Sequence, residues 1–222
     1  MNIMSAKKII KESTLVSKYM DMFLETGKEP TSIYLFAKSL NMDEAEFYKY
    51  FRSFKELEKR VFEMFCENSL NLLAKNDDFK NYESREKLLS FYFTIAEMMT
   101  ANRSFIVKQL EDNKNVLKGL NKLSKLKRSF NQFTSTLDIN KIDLKQNKLE
   151  RIQEKGIQEM LWVQLLLILK FWLDDNSKSF EKTDIFIEKS VNALFDMMNT
   201  TPLKSFLDLG KFIFKEKMNC KM

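Results

Sequence analysis

Apolar residues recur at helical intervals along almost the whole chain. Between Lys7 and Glu25 they stand at Ile10, Leu15, Tyr19, Met22 and Phe23, which predicts an amphipathic helix. Gly27 is placed to cap its C-terminal end, because glycine accepts the left-handed backbone found there. Pro30 and Thr31 open a second helix with Thr31 as the expected N-cap and Ile33, Phe36, Ala37 and Leu40 facing inward. Leu40-Asn41-Met42 forms a short turn, and Asp43 begins a third helix reaching about Phe51. Asp43 and Glu46 resemble a capping box in which Asp replaces the usual Ser or Thr. Ser53-Phe54-Lys55-Glu56 is a regular box of that kind and starts a long fourth helix through Val61, Phe62, Phe65 and Leu72. Short helices in succession, the second and third joined by a tight turn, make a helix-turn-helix pattern.

Longer helices follow. The spacing predicts them over Tyr82–Thr100, Asn102–Leu110, Val116–Phe133, Lys148–Asp174 and Asp184–Asn199. The segment from Thr136 to Asn147 has no clear period and reads as a loop. Thr201-Pro202 ends the penultimate helix, and Leu203–Lys217 reads as a last amphipathic one. No internal repeat or low-complexity tract interrupts the order. With four Gly and two Pro in 222 residues, the chain lacks the turn residues of a sandwich, barrel or doubly wound sheet. The expected class is all-α, with a helix-turn-helix domain over 1–60 and a larger helical domain over 61–222.

The sequence contains no His, which removes the commonest general base and the commonest metal ligand. Cys66 and Cys220 form no C-x-x-C pair, so neither a zinc knuckle nor a redox motif is available, and their sparseness fits a reducing cytoplasm. No Gly-rich loop offers a phosphate cradle. Acid pairs such as Asp77-Asp78 and Asp174-Asp175 read as solvated loop residues. These observations point away from an enzyme, a metal site and a cofactor. The N-terminus has no apolar h-region. The most apolar run, Leu161–Leu173, falls short of the roughly 20 residues that span a bilayer. It also carries Gln164 and Lys170 and so reads as a buried helix without membrane contact. Net charge is +6, and its excess lies mid-chain: residues 103–155 hold 13 basic against 6 acidic side chains. That excess is open to two readings, a nucleic-acid footprint or the compositional bias of a chain with 31 Lys and 6 Arg.

The stretch FLETGKEPTSIYLFAKSLNMDEAEFYKYFRSFKEL, Phe23 to Leu57, resembles the N-terminal DNA-binding domain of the TetR family of bacterial transcriptional repressors. The order that carries it is an apolar helix, Gly27, Thr31-Ser32, Ala37-Lys38, a tight turn, Phe47-Tyr48-Lys49-Tyr50-Phe51, and Ser53 before Leu57. The helical remainder is similar in layout to that family's ligand-binding and dimerisation domain. The resemblance implies a cytoplasmic homodimer on a palindromic operator, with two recognition helices in major grooves about one helical turn apart. Thr31 and Ser32 would meet phosphate, as would Tyr48 or Tyr50; Asp43, Glu44, Ala45, Glu46 and Lys49 would face the bases, and Tyr34, Lys38 and Lys55 would complete the interface. The chain departs from the family pattern by placing Asp43, Glu44, Ala45 and Glu46 where Ser, Lys, Gly and Thr are usual. Tyr34 replaces the usual Arg, Asn41 the turn Gly, and Phe54 the Lys after Ser53. The carboxylates can act as helix caps near a positive helix end, or accept from cytosine N4.

Phe91, Tyr92, Met98, Met99, Phe105 and Phe130 could line an apolar cavity for a small ligand or pack as core. Leu161, Leu165, Leu169 and Trp172, with Ile187, Val191, Leu194, Phe195 and Met198, would pair two helices of each protomer into a four-helix dimer bundle. The leading expectation is a regulator controlled by a small apolar ligand. The alternative is a TetR-fold lipid- or isoprenoid-binding accessory protein without DNA binding, similar in fold to the coenzyme Q biosynthesis accessory protein.

Overall fold

The structure, a computed structural model, describes residues 10–111, 116–139 and 147–199, and among them every regular element is helical. The helices are α1 (Glu12–Thr26), α2 (Ile33–Ser39), α3 (Glu44–Tyr48), α4 (Phe54–Leu73), α5 (Ser84–Ala101), α6 (Arg103–Glu111), α7 (Val116–Lys122), α8 (Ser124–Thr134), α9 (Asn147–Asp174) and α10 (Glu181–Asn199). Single 3-10 turns stand at Asp77–Asn81 and Lys178–Phe180. Two compact units result: residues 1–66 with 99–126, and residues 67–98 with 127–222. The expected helix over Leu203–Lys217 and its Thr201-Pro202 boundary lie outside the described residues, as does Cys220.

The first unit is built on aromatic rings. Phe36 of α2, Phe47 of α3 and Phe54 of α4 are buried and meet edge to face, with centroids 5.4–5.8 Å apart. Such pairs add about 0.5–1.5 kcal/mol each beyond the area they bury. Leu15, Val16, Tyr19 and Phe23 form the buried stripe of α1, and Phe105 of α6 sets its ring edge against Tyr19 and Phe23. A five-residue helix such as α3 would not persist alone. Its order comes from Phe47, which is fully enclosed.

Helix boundaries follow local chemistry, with corrections. Gly27 caps α1 at φ 73° and its N–H donates to the Phe23 carbonyl. A β-carbon there would also come within 2.8 Å of Lys108 Nζ. The N-cap of α2 is Ser32, not Thr31: the Ser32 hydroxyl accepts from the Leu35 N–H at 3.2 Å. Asn41 takes φ 53° in the turn before α3, a conformation Asn tolerates better than other non-glycine residues. α3 ends at Tyr48, short of Phe51, and Asp43 occupies its N-cap position without a side-chain capping bond. Ser53 accepts from the Glu56 N–H at 3.4 Å, but the Glu56 carboxylate turns to Lys59 and Lys125 instead of closing the box. The helix expected over Val116–Phe133 is two, α7 and α8, parted at Leu123. At the break Lys122 reaches away to the Gln109 carbonyl, the Gln109 side chain and Glu58.

In the second unit α9 and α10 pack side by side. Leu161, Leu165, Ile168, Leu169 and Trp172 of α9 and Ile187, Val191, Leu194 and Met198 of α10 are all buried. A chain of neutral hydrogen bonds crosses three helices: Tyr92 of α5 donates to the Leu161 carbonyl and to Gln164, both at 3.2 Å, and Gln164 donates to Ser190 at 3.3 Å. The corner between α9 and α10 turns on Asp175. Its carboxylate accepts from the N–H and hydroxyl of Ser177 and of Thr183, at 2.7–2.9 Å. Within that corner Ser179 and Phe180 both sit at positive φ, 53° and 59°.

Candidate nucleic-acid interface

The surface of α2 and α3 is decided by what the two helices bury. Phe36, Ala37 and Phe47 point inward. At 100° per residue, Ala45 and Lys49 therefore lie on the far side of α3, flanked by Tyr48 and Glu46. Their accessibility agrees: Asp43, Ala45, Tyr48, Lys49 and Tyr50 are exposed, and Glu44 and Glu46 half-buried. On α2, Tyr34 and Lys38 are exposed beside Thr31, with Ser32 half-buried by its capping role, and Lys55 is exposed in the first turn of α4. The structure thus brings all twelve expected residues onto one helix-turn-helix segment and leaves their functional groups at or near solvent. Leu35, 51% exposed on α2, is an outward apolar residue that the sequence reading did not single out.

The acids of α3 are engaged within the helix. Tyr48 Oη donates to Glu44 Oε1 at 3.1 Å, and Lys49 Nζ donates to Glu46 Oε1 at 2.7 Å. The bond to Glu44 raises the Tyr48 phenol's pKa. Tyr50 Oη reaches across the segment to the Ile10 carbonyl at 2.8 Å, so this hydroxyl fixes the residues after α3 against the start of α1. Two lysines of the basic mid-chain segment are tied to α4, Lys122 on Glu58 at 2.6 Å and Lys125 on Glu56 at 3.3 Å. These charges hold the unit together instead of lying open to a polyanion.

Residues 87–213, more than half of the chain, match the family described as tetracyclin repressor-like, C-terminal domain. The chain belongs to the TetR family. Among solved structures it is similar to a transcriptional regulator of the TerR/AcrR family from Aquifex aeolicus. That match has 16% identity, 82% of this chain, 98% of that one and a TM-score of 0.46. It is similar also to the TetR family transcriptional regulator PfmR from Thermus thermophilus, at 17% identity, 83% and 96% coverage and a TM-score of 0.36. No curated protein matches it.

In the second unit, and in part of the first, the residues expected around a ligand fall in two places. Phe91, Tyr92 and Phe130 are fully buried; Tyr92 stacks on Phe130 at 6.0 Å, and Phe91 sets a tilted ring against Phe130 at 5.4 Å and Phe133 at 4.9 Å, while Met98 is half-buried. Burial drives the Tyr92 phenol's pKa well above its ordinary value, so it remains a neutral donor. Met99 and Phe105 belong to the first unit, where Phe105 packs on Tyr19, Phe23 and Phe62. A separate cavity of about 700 Å³ opens at the start of α5. Ile139, Phe195 and Met198 give it apolar walls, and Arg85, Lys87, Glu83, Glu86 and Asp138 charged ones. Arg85 is held there by Asp196 at 2.9 Å and Asn192 at 3.3 Å, over the Phe195 ring.

The expected dimer residues Leu161, Leu165, Leu169, Trp172, Ile187, Val191, Leu194 and Met198 join α9 to α10 inside the protomer, with Phe195 half-buried beside them. The same two helices present a second apolar face. Val163 and Leu167 of α9 and Ile185 and Met197 of α10 are 46–55% exposed. Phe171 and Phe186 stack at 4.5 Å and link the two helices. Met160, Val163, Leu167 and Phe171 recur at intervals of three and four, a signal the sequence carries in plain form. By length and composition Gln153–Asp174 of α9 could cross a membrane, and its inner face is the one packed on α10. Among the described residues no cluster of three His, Cys, Asp or Glu is placed to hold a metal ion.

Proposed function

We propose that the protein is a transcriptional regulator that binds a palindromic DNA site as a homodimer and releases or tightens it in response to a small apolar ligand. The observation that carries this reading is the helix-turn-helix, with Phe36, Ala37 and Phe47 turned inward and Tyr34, Lys38, Ala45, Tyr48 and Lys49 turned out. Membership of the TetR family supports it, and supports a cytoplasmic, non-enzymatic protein. Phosphate contacts fall to Thr31, Ser32, Tyr34, Lys38, Tyr48 and Lys55, with Tyr50 holding the segment to Ile10, and base contacts to Asp43, Glu44, Ala45, Glu46 and Lys49.

The dimer forms on α9 and α10. The buried residues Leu161 through Met198 hold the two helices of one protomer together, and Val163, Leu167, Phe171, Ile185, Phe186 and Met197 meet their counterparts on the second. The ligand acts in the second unit. It opens the stack around Phe91, Tyr92 and Phe130, or seats against Ile139, Phe195 and Met198 in the cavity at the start of α5. Either mode biases a two-state equilibrium in the spacing of the recognition helices.

Fluorescence anisotropy on the chain's own upstream DNA, against a scrambled duplex and across a salt series, tests the reading. Tighter binding to the native fragment that weakens as salt rises is the expected result. Equal weak binding to both duplexes, or none at low salt, overturns it. The second outcome would turn attention to an accessory role in which the same fold carries a lipid.

A further inference from the structure

The outward face of α3 presents an ion pair side by side: the Lys49 ammonium, 65% exposed, donates at 2.7 Å to Glu46, which is 33% exposed. Glu44 is occupied by Tyr48, and the neighbour within the face is the single methyl of Ala45, which lets the pair approach a groove floor closely. The pair therefore offers a cluster of donors next to an acceptor. In the major groove a G·C pair shows two acceptors in a row, guanine N7 and O6, followed by the cytosine N4 donor. An ammonium with three donors can take both acceptors while the adjoining carboxylate takes the N4 proton. An A·T pair sets its single donor between two acceptors, so a carboxylate placed on adenine N6 is flanked by lone pairs that repel it.

We propose that Glu46 and Lys49 read one G·C base pair in each half-site, Lys49 on guanine and Glu46 on cytosine. The inference rests on the DNA-binding reading above and names the base pair that reading leaves open. It also gives the acidic residue a role that phosphate contact alone would disfavour. Glu46 lowers affinity for DNA in general and returns part of it only where cytosine N4 stands opposite.

Selection of bound duplexes from a random-sequence library tests this with the full-length wild type, Glu46→Ala and Lys49→Met, after circular dichroism has matched their helix content. Wild type should enrich an inverted repeat with one fixed G·C pair per half-site. Glu46→Ala should cut the preference at that pair about tenfold, leave the other positions unchanged, and bind random duplex more tightly than wild type. Lys49→Met should lose the guanine and bind every duplex more weakly. An enriched motif whose G·C preference survives Glu46→Ala overturns this inference and leaves the DNA-binding reading standing. No enriched motif with wild type overturns both.

Discussion

Glu58, largely buried in the first unit, meets Lys122, and Arg60 is shared between Glu12 and Glu63. In the second unit the polar chain from Tyr92 through Gln164 to Ser190 is uncharged, and the ion pairs Arg85–Asp196 and Lys127–Glu159 involve well-exposed acids. Both units surround these contacts with aromatic and aliphatic core. The difference lies in how each responds when a contact is cut. A buried ion pair that loses one member leaves an uncompensated charge, whereas a neutral hydrogen bond that is lost leaves only an unmatched dipole. The first unit, which carries α2 and α3, is therefore the one most sensitive to single charge changes. Burial, with Glu58 and Glu29 nearby, also drives the Tyr19 phenol's pKa far up, so Tyr19 adds a neutral donor to this charged interior.

The largest effect should come from the core itself. Phe47→Ala empties the site on which α3 depends and should cost about 3–5 kcal/mol in denaturant unfolding. A cost below about 1 kcal/mol would mean that α3 does not rely on this ring. Lys122→Met probes the contrast between the units directly and should cost about 3 kcal/mol by leaving Glu58 without its cation. The double variant Lys122→Met/Glu58→Met should recover most of that loss. If it does not, the tie is packing and not charge.

Asp175 supplies a charge-dependent contact inside the second unit. Partial burial works to raise its pKa, and the hydrogen bonds from Ser177 and then Thr183 outweigh that and hold it at about 2. A carboxylate depressed on folding stabilises above its unfolded pKa and loses that contribution as pH falls through the folded value. Stability should therefore decline between about pH 4 and pH 2, and Asp175→Asn should flatten that part of the curve in thermal melts. Gln164→Leu cuts the neutral chain and should cost about 1 kcal/mol, well below Lys122→Met. Tyr48→Phe removes a bond at the exposed surface of α3 and should leave the unfolding midpoint unchanged while weakening DNA binding.

Much of the first unit is legible in its local pattern. Gly27, the turn at Asn41 and the Ser53 cap each act through their own backbone or their nearest neighbours, so their signals survive in the sequence. The break at Leu123 is different in kind. Leu120, Leu123, Leu126 and Phe130 keep helical spacing across it, so the local pattern carries no sign of the break, and the tie of Lys122 to Glu58, a residue distant in the chain, is equally invisible there. Within the basic mid-chain excess, the α4 partners of Lys122 and Lys125 are likewise not their neighbours in sequence. On α9 apolar residues stand on both faces. Hydropathy identifies the helix and does not distinguish the face that α10 takes from the outward one, so the inner leucines and the outer stripe carry the same signal in sequence. The outward positions of α3 followed once Phe47 was placed, but the pairing of its acids with Tyr48 and Lys49 needed coordinates.

The corner at Ser179 and Phe180 bears on how this protein can change over generations. Two successive residues in a left-handed conformation set the direction in which α10 departs, and Asp175, Ser177 and Thr183 hold that direction from inside the corner. None of those groups lies on the outward face of α9 or α10. Substitutions at Val163, Leu167, Ile185 and Met197 would therefore alter what these two helices meet, the proposed dimer contact included, while the angle between the two helices is inherited intact. The scaffold and its surface can evolve as separate characters.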